Sequence, residues 1–560
     1  MSKEKKKSFI PWLYRMMKRR IPTILLLMLL SIFSSILNVR FALVSRDVID
    51  SASGGVRQEL IRACIVFALF IVMRIGATVL SMHLSQMVRA NLDRDFKSSM
   101  LRKIYHSEYA FISHYHSADL VHRMNSDGAA AYNGVLSIAT SLCSYCTSLI
   151  ASVTMIISLE PAFAMFFILG TAVITLVTAL IQRKMRRLHI ESSQAGAKVS
   201  SFLHESINRL MVVQALDVSE EMLRRSEDVL EHRWQVSRHR KNLNLIMNLG
   251  SSGLGQLGSF VTMVWCAAQI FQGNMSFGGL TAMTTLVGQL QTSLMMLPHT
   301  LPQIIAISAA CERVMEIEQV PDQPSPDELD ADALYERMTG FRAEHLSFAY
   351  EQDPVIRDVS LVIPKGGLTV IVGHSGIGKS TLLKLMLGLY HPTSGELLID
   401  TADGSIELSR AARSLFSYAP QGNFLLSGTL RDNLTLTNPD ATEDQLRQAL
   451  YVSCMEEYIS TLPLGLDTPL RENGEGLSEG QAQRLSLARA ILSCAPVLLL
   501  DEVTSALDAE TEQAVLERIC ALPGKTCIAV THRPAALALA DHLIEVTESG
   551  MVMRTIHKCG

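Results

Sequence analysis

The sequence predicts a membrane α-helical bundle of six crossing helices with long cytoplasmic extensions, followed by a C-terminal α/β domain built round a phosphate-binding loop. Three observations carry that expectation. Apolar runs long enough to cross a hydrocarbon core of ~30 Å, which takes roughly 20 helical residues, recur as far as residue 310 and then stop. An acidic, proline-rich stretch, PDQPSPDELDAD, follows from Pro321 to Asp332. Beyond residue 341 come short β-like runs separated by helical segments, and Gly373-His-Ser-Gly-Ile-Gly-Lys-Ser380 stands directly after one of them.

A chain of 560 residues is too long for one compact domain, and 48% hydrophobic residues with a mean hydropathy of +0.24 point to a membrane portion. A net charge of −4 leaves no electrostatic footprint for nucleic acid. The ten cysteines lack paired metal-ligand spacing, and Cys143-x-x-Cys146 lies inside an apolar run, so all ten read as reduced thiols. The basic start, MSKEKKK, precedes an apolar run with no small-residue cleavage site, which reads as a retained helix.

Spans are expected at about 21–45, 58–82, 134–158, 161–182, 246–271 and 278–310. Basic residues at Lys5–Lys7, Lys18–Arg20, Arg89–Lys103 and 182–187 place both termini in the cytoplasm. The outside connections are short, whereas about 50 and 60 polar residues separate spans two and three, and four and five. Leu92, Phe96, Met100 and Ile104, and likewise Leu203, Ile207 and Met211, recur at four-residue spacing, so those spans should continue as helices beyond the membrane. The segment Phe9–Tyr14 reads either as an interfacial helix or as an anchor for the first span. The expected domains are a transmembrane part at 1–320, a linker at 321–340 and a nucleotide domain at 341–560, with strands at 368–372, 497–500 and 526–530.

The glycine-rich run fits G-x-x-x-x-G-K-[ST] between a strand and a helix beginning near Thr381. Backbone N–H groups of Gly373, His374, Ser375, Gly376, Ile377 and Gly378 would curl round phosphate oxygens, Lys379 would reach the β- and γ-phosphates of ATP, and Ser380 would ligate Mg2+. A second apolar strand ends in Asp501-Glu502. Neighbours on an extended strand point opposite ways, leaving Asp501 for the Mg2+ shell through water and Glu502 for the attacking water as general base.

Between these elements lies Leu477-Ser478-Glu479-Gly480-Gln481, followed by Ala-Gln-Arg-Leu, which resembles the signature motif of the ABC transporter family. Tyr350, Gln421 in Tyr-Ala-Pro-Gln, Glu472, Ser505-Ala-Leu-Asp508 and Thr531-His532-Arg533 match that family in order. In the membrane half, His116–Met124, Ser201–Ser206 and Ala310–Ile317 are similar to segments of its exporter-fold half-transporters. The resemblance implies that two chains pair, each ATP being clamped between the phosphate loop of one and the signature of the other. It also implies that Tyr350 stacks on adenine, Gln421 senses Mg2+ and water, Ser478 and Gly480 contact the partner's γ-phosphate, and His532 positions the γ-phosphate of its own site. Ser505 and Asp508 then form the D-loop, and helix ends near 107–118 and 205–215 act as levers on the nucleotide domains. Glu479 departs from the usual glycine. Harmless variation in a homodimer and an altered site in a heterodimer are the two readings.

Polar residues within spans are costly and mark bundle interiors or water. Arg40, Arg46, Arg74, Gln289, Gln291 and His299 are the candidates for a substrate path, with interhelical bonding or snorkelling as the alternative. Pro298 and Pro302 predict a kink in the sixth span. The function expected is an ATPase coupled to export of a hydrophobic or amphipathic solute, lipid, drug or peptide, from a cytoplasmic membrane that the resemblance makes bacterial. Import of a metal chelate on the same fold and a non-transporting, ATP-gated membrane regulator are the rivals.

Overall fold

The computed structural model describes residues 10–555 apart from 166, 168–187, 189, 190, 193, 197, 204, 298, 299, 324–328, 351, 352, 423, 472–475, 548 and 549. The chain divides into two units, Met1–Tyr105 with Tyr115–Gln319, and His106–His114 with Val320–Gly560.

The first unit is helical. A short helix, α1 (Ile10–Met17), buries Trp12 and Met17 and leads into α2 (Ile21–Ser53), whose second residue, Pro22, has a φ suited to a helix start. After a turn at Gly54–Gly55 comes α3 (Arg57–His106), which runs 50 residues without a break, so the helix does continue well past its apolar half. Stretches Ile10–Ser53, Arg57–His106 and Ser117–Leu159 are each long and apolar enough to cross a membrane. The last contains α5 (Ser117–His122), a π-turn at Arg123–Asp127 and α6 (Gly128–Leu159). Most of the fourth expected span, and the basic run after it, lie outside the described residues. The fifth is the end of the 53-residue α8 (Ser219–Phe271), which follows α7 (Leu210–Ala215). The sixth is shared by α9 (Phe277–Met296) and α10 (Thr300–Glu318); Pro298 and His299 between them are outside the description.

The stripe on α3 is buried, Leu92, Phe96 and Met100 being at most 2% exposed. Phe96 lies over Gly128, where a Cβ would come within 2.0 Å of its ring, so only glycine admits that contact. The other stripe behaves differently: Leu203, Ile207 and Met211 are 41, 68 and 82% exposed, and the helix breaks at Arg209, so the spacing there marks a helical face that this chain does not cover. Asp50, near the end of α2, accepts from the Gly278 N–H and the Ser276 hydroxyl, both at 2.9 Å, and so caps α9 from outside it.

At the π-turn, buried Asp127 takes a bidentate pair from Arg313, at 2.8 and 2.5 Å. Arg313→Ala should strand that carboxylate. The half-exposed guanidinium puts the cost at the low end of the ~3–5 kcal/mol typical of such losses. A lowered thermal midpoint, recovered in Arg313→Ala/Asp127→Asn, checks this.

In the second unit an antiparallel sheet and a mainly parallel one face each other. The first has the order β2 (Asp353–Pro364), β1 (Met338–Tyr350), β4 (Ser394–Thr401) and β5 (Gly404–Glu407). The second has the order β12 (Gly550–Thr555), β11 (His542–Thr547), β3 (Gly367–Gly373), β10 (Thr526–Val530), β9 (Val497–Asp501) and β6 (Phe416–Ala419), with only β12 antiparallel. Strands β9 and β10 are buried throughout, as parallel strands covered on both faces must be. Helices α12 (Lys379–Met386), α13 (Leu430–Leu434), α14 (Glu443–Val452), α15 (Glu456–Thr461), α16 (Glu479–Leu492), α17 (Ala509–Cys520) and α18 (Pro534–Leu539) complete it, with a small pair, β7 (Gly428–Thr429) and β8 (Pro469–Leu470).

The described end of the expected linker is regular structure. It carries α11 (Ala331–Arg337), capped by the Asp330 side chain, and β1 starts within it at Met338. The short helix α4 (Tyr109–Ile112) also belongs to this unit. Its flank pairs with the 320s, where Glu108 N–H meets the Pro321 carbonyl at 3.0 Å and Gln323 N–H meets that of His106 at 2.7 Å.

Candidate active site

The phosphate loop turns at three glycines with positive φ, Gly373, Gly376 and Gly378, at +155°, +83° and +105°. At Gly378 a Cβ would also meet Val355 at 2.8 Å, which excludes side chains twice over. His374, Ser375 and Gly376 are exposed at the rim, while Ile377 and Ser380 are half-buried and Lys379 is buried. With α12 starting at Lys379, the loop leads directly into a helix N-terminus, whose free N–H groups and dipole favour an anion there. The Lys379 ammonium donates to the carbonyls of Gly373 and His374, at 2.9 and 3.0 Å, which holds it folded over the loop.

Asp501 ends β9 and is 2% exposed. Its two oxygens accept from the Ser380 hydroxyl at 2.9 Å and the Tyr418 hydroxyl at 3.2 Å. Burial raises its pKa, against the pull of both hydroxyls. A buried carboxylate with an adjacent hydroxyl is a hard-oxygen donor set suited to Mg2+, and a cation there would relieve the burial cost of the charge. Tyr418 stands in the Tyr-Ala-Pro-Gln run, and its contact with the carboxylate is visible only in the fold.

Glu502 corrects one step of the reading. It is not a further strand residue but sits at φ +50°, its N–H donating to the Val530 carbonyl at 3.0 Å. A left-handed turn, rather than strand alternation, separates it from Asp501, and such strain in a non-glycine residue clusters at functional sites. Its Oε2 accepts from the Gln421 amide at 2.6 Å, so base and sensor candidates are already joined. His532 is exposed on the loop after β10.

Tyr350 and Thr381 meet through their hydroxyls at 3.3 Å. The Tyr350 ring stands edge-on to Phe348 at 4.9 Å and Tyr390 at 5.3 Å, and Tyr390 in turn meets Tyr109 of α4 at 5.7 Å. Tyr390 packs against the ring expected to stack on adenine. Tyr390→Leu should therefore raise the KM for ATP by ~2–10-fold with kcat little changed, the scale of one aromatic pair. Steady-state kinetics beside Tyr390→Phe, which keeps the ring, checks this.

In the signature segment, Ser478 caps α16 and Gln481 returns the bond to Ser478 N–H at 2.8 Å, a reciprocal capping box that fixes the loop. Leu477 is half-buried, and Gly480 lies under the D-loop, where a Cβ would meet the Ala506 carbonyl at 2.9 Å. Glu479 is exposed in the first turn, where the helix dipole favours a carboxylate. Glu472 is outside the described residues. Asp508 caps α17 through Thr511 N–H at 2.9 Å. Ser505 accepts from the Gln483 amide at 3.0 Å, and Arg533 donates to its carbonyl, so the residues after the signature and after His532 grip the D-loop from two sides. Neither Gln483 nor Arg533 stood out in the sequence as positioning that loop.

The substrate-path candidates separate. Gln291 donates to the Gly255 carbonyl at 3.1 Å and fills the space over Gly258, a close packing of α8 on α9. Gln289 donates to the Asn38 carbonyl at 2.8 Å while its Oε1 is buried with no partner among the described residues. Arg74 stacks on Phe41 at 4.7 Å, and Arg46 pairs with Asp50. Arg40 is exposed, and His299 is outside the described residues. Among the described residues, no hydrogen bond or ion pair joins one of these candidates to another.

The family model of the ABC transporter transmembrane region matches residues 24–294 and that of the ABC transporter matches 356–505. Among curated proteins, the ATP-binding/permease protein YgaD of Bacillus subtilis is 26% identical over 87% of this chain and 84% of its own length. The mycobactin import ATP-binding/permease protein IrtB of Mycobacterium tuberculosis is 42% identical, over 37% of each chain. A solved bacterial Atm1-family ABC exporter with ATP bound shares the fold, with a TM-score of 0.78 at 21% identity, over 96% of this chain and 95% of that one. The chain therefore belongs to the ABC transporter family: it is a fused half-transporter of exporter fold, a membrane ATPase subunit whose architecture implies pairing with a second such chain.

Proposed function

We propose that this chain pairs with a second copy of itself and uses ATP hydrolysis to move a hydrophobic or amphipathic solute outward across a bacterial cytoplasmic membrane, both termini lying in the cytoplasm. The observation that carries it is the preassembled pair of Glu502 and Gln421 beside buried Asp501, in a chain whose other half is apolar helix. Glu502 would take the proton of the attacking water, with Gln421 aiming its carboxylate, while Lys379 and the loop N–H groups hold the γ-phosphate. Mg2+, held by Ser380, Asp501 and Gln421, would supply charge neutralisation on the β- and γ-oxygens. Tyr350 would stack on adenine, His532 would hold the γ-phosphate, and Ser478 and Gly480 would close the partner's site with Ser505 and Asp508 beside them.

Self-pairing is supported by the exposed position of Glu479 in the first turn of a helix, where the dipole favours a carboxylate and offsets most of the repulsion such a group would exert on phosphate across a dimer. The cargo class is supported by the name of a relative, the fatty acid ABC transporter ATP-binding/permease protein of Mycobacterium tuberculosis, 26% identical over 81% of this chain and 72% of its own length. The name of IrtB gives import as the contrary direction. Purified alone in nanodiscs, the protein should have the mass of a dimer, hydrolyse ATP, and turn over faster with an amphiphile present. An inert monomer would mean that a different partner chain completes the sites.

A further inference from the structure

Where the apolar half of α3 ends, a cavity of about 780 Å³ opens between it and the start of α6. Its wall includes Ser81, Gln86, Tyr132 and Asn133 and two charged side chains, Arg89 and Asp93. The Arg89 guanidinium is half-buried and donates to the hydroxyls of Ser85 at 3.3 Å and Ser137 at 2.9 Å and to the Asn133 amide oxygen at 3.1 Å. All three acceptors are neutral, and among the described residues no carboxylate forms an ion pair with this cation. Asp93, one turn further, is occupied: the Tyr132 hydroxyl donates to it at 2.6 Å and Lys97 pairs with it at 3.0 Å. With the Asp93 carboxylate in the wall balanced by Lys97, the Arg89 guanidinium is left without an ionic partner among the described residues.

On the same helix face, Ile75, Val79 and Met82 precede Gln86 and Arg89 at helical spacing, and all three apolar residues are more than half exposed. An apolar stripe thus runs into a cationic pocket, complementary to an apolar tail that ends in an anion. We infer that this cavity is a binding site for the anionic head of an amphiphile, a carboxylate or phosphate, with Arg89 as its recognition residue and the Ile75–Met82 stripe as the bed for the tail. A charge-assisted, two-pronged contact from guanidinium to oxyanion is stronger than the neutral bonds it would displace. This deepens the proposed cargo class and rests on it.

The test uses the full-length protein in phosphatidylcholine nanodiscs and compares ATP turnover with dodecanoate and with dodecanol, whose tails match. Dodecanoate should act at the lower concentration. Arg89→Gln should raise its half-maximal concentration by about tenfold or more and leave that of dodecanol unchanged, with Arg89→Lys intermediate. Ala90→Trp, which fills the cavity without touching the bonds of Arg89, should abolish the preference and guards against misfolding in the first variant. An Arg89→Gln protein with the parent's dodecanoate response, or with both responses shifted alike, overturns the site while leaving the transporter reading intact. Failure of every amphiphile to change turnover removes that reading and the site with it. Adding phosphatidylglycerol separates the sources. If it competes away the Arg89-dependent response, the occupant is a lipid headgroup; if the response persists, the site takes a free carboxylate.

Discussion

Glu502→Gln is expected to lower ATP turnover by ~10²–10⁴-fold while nucleotide binding persists, because it removes the only function assigned to that side chain, acceptance of a proton. The geometry makes the change unusually clean. Glu502 is held by backbone, through its N–H to Val530 and a left-handed φ, so an isosteric amide keeps its place. Among the described residues, the hydrogen bond altered is that with Gln421, at 2.6 Å, in which a carboxylate acceptor becomes an amide that can still accept. Single-turnover hydrolysis beside equilibrium binding of a fluorescent ATP analogue separates the two effects. Equal loss of both would move Glu502 from chemistry to binding.

Lys379→Ala should act at the earlier step. Lys379 is buried, and its ammonium lies over the carbonyls of its own loop, so a phosphate would replace weak carbonyl acceptors with a strong anionic one. Losing one such donor costs ~10²–10³-fold at preorganised sites, and here the loss should fall on affinity as well as rate. Isothermal titration with ATP checks the first, and an unchanged thermal midpoint without nucleotide shows that the loop still folds. Together the two variants divide the site into a part that holds phosphate and a part that activates water.

Much of this was readable in the chain because its signals are local. A phosphate loop announces itself through spacing, since only glycines adopt the φ values of Gly376 and Gly378. The strands at 368–372, 497–500 and 526–530 are short apolar runs because parallel strands are covered on both faces. What spacing could not convey was contact between distant segments. Tyr418 reaches Asp501 over 83 positions and Tyr390 bridges α4 and β1, so both depend on the assembled sheet. Strand alternation does not describe Glu502, because the strand ends one residue earlier and the backbone turns left-handed there. Nor does a polar residue within an apolar run state its purpose: Gln291 is committed to the packing of α8 on α9, whereas Arg89, read only as a basic flank that sets orientation, faces a cavity.

The most direct test of the whole account is ATP-driven uptake of a fluorescent amphiphile into sealed inside-out membrane vesicles carrying this protein, with Glu502→Gln vesicles beside them. Outward transport in the cell predicts accumulation in the lumen that requires ATP and is absent from the variant. Accumulation equal in the two preparations, or ATP-dependent loss from preloaded vesicles, would contradict it.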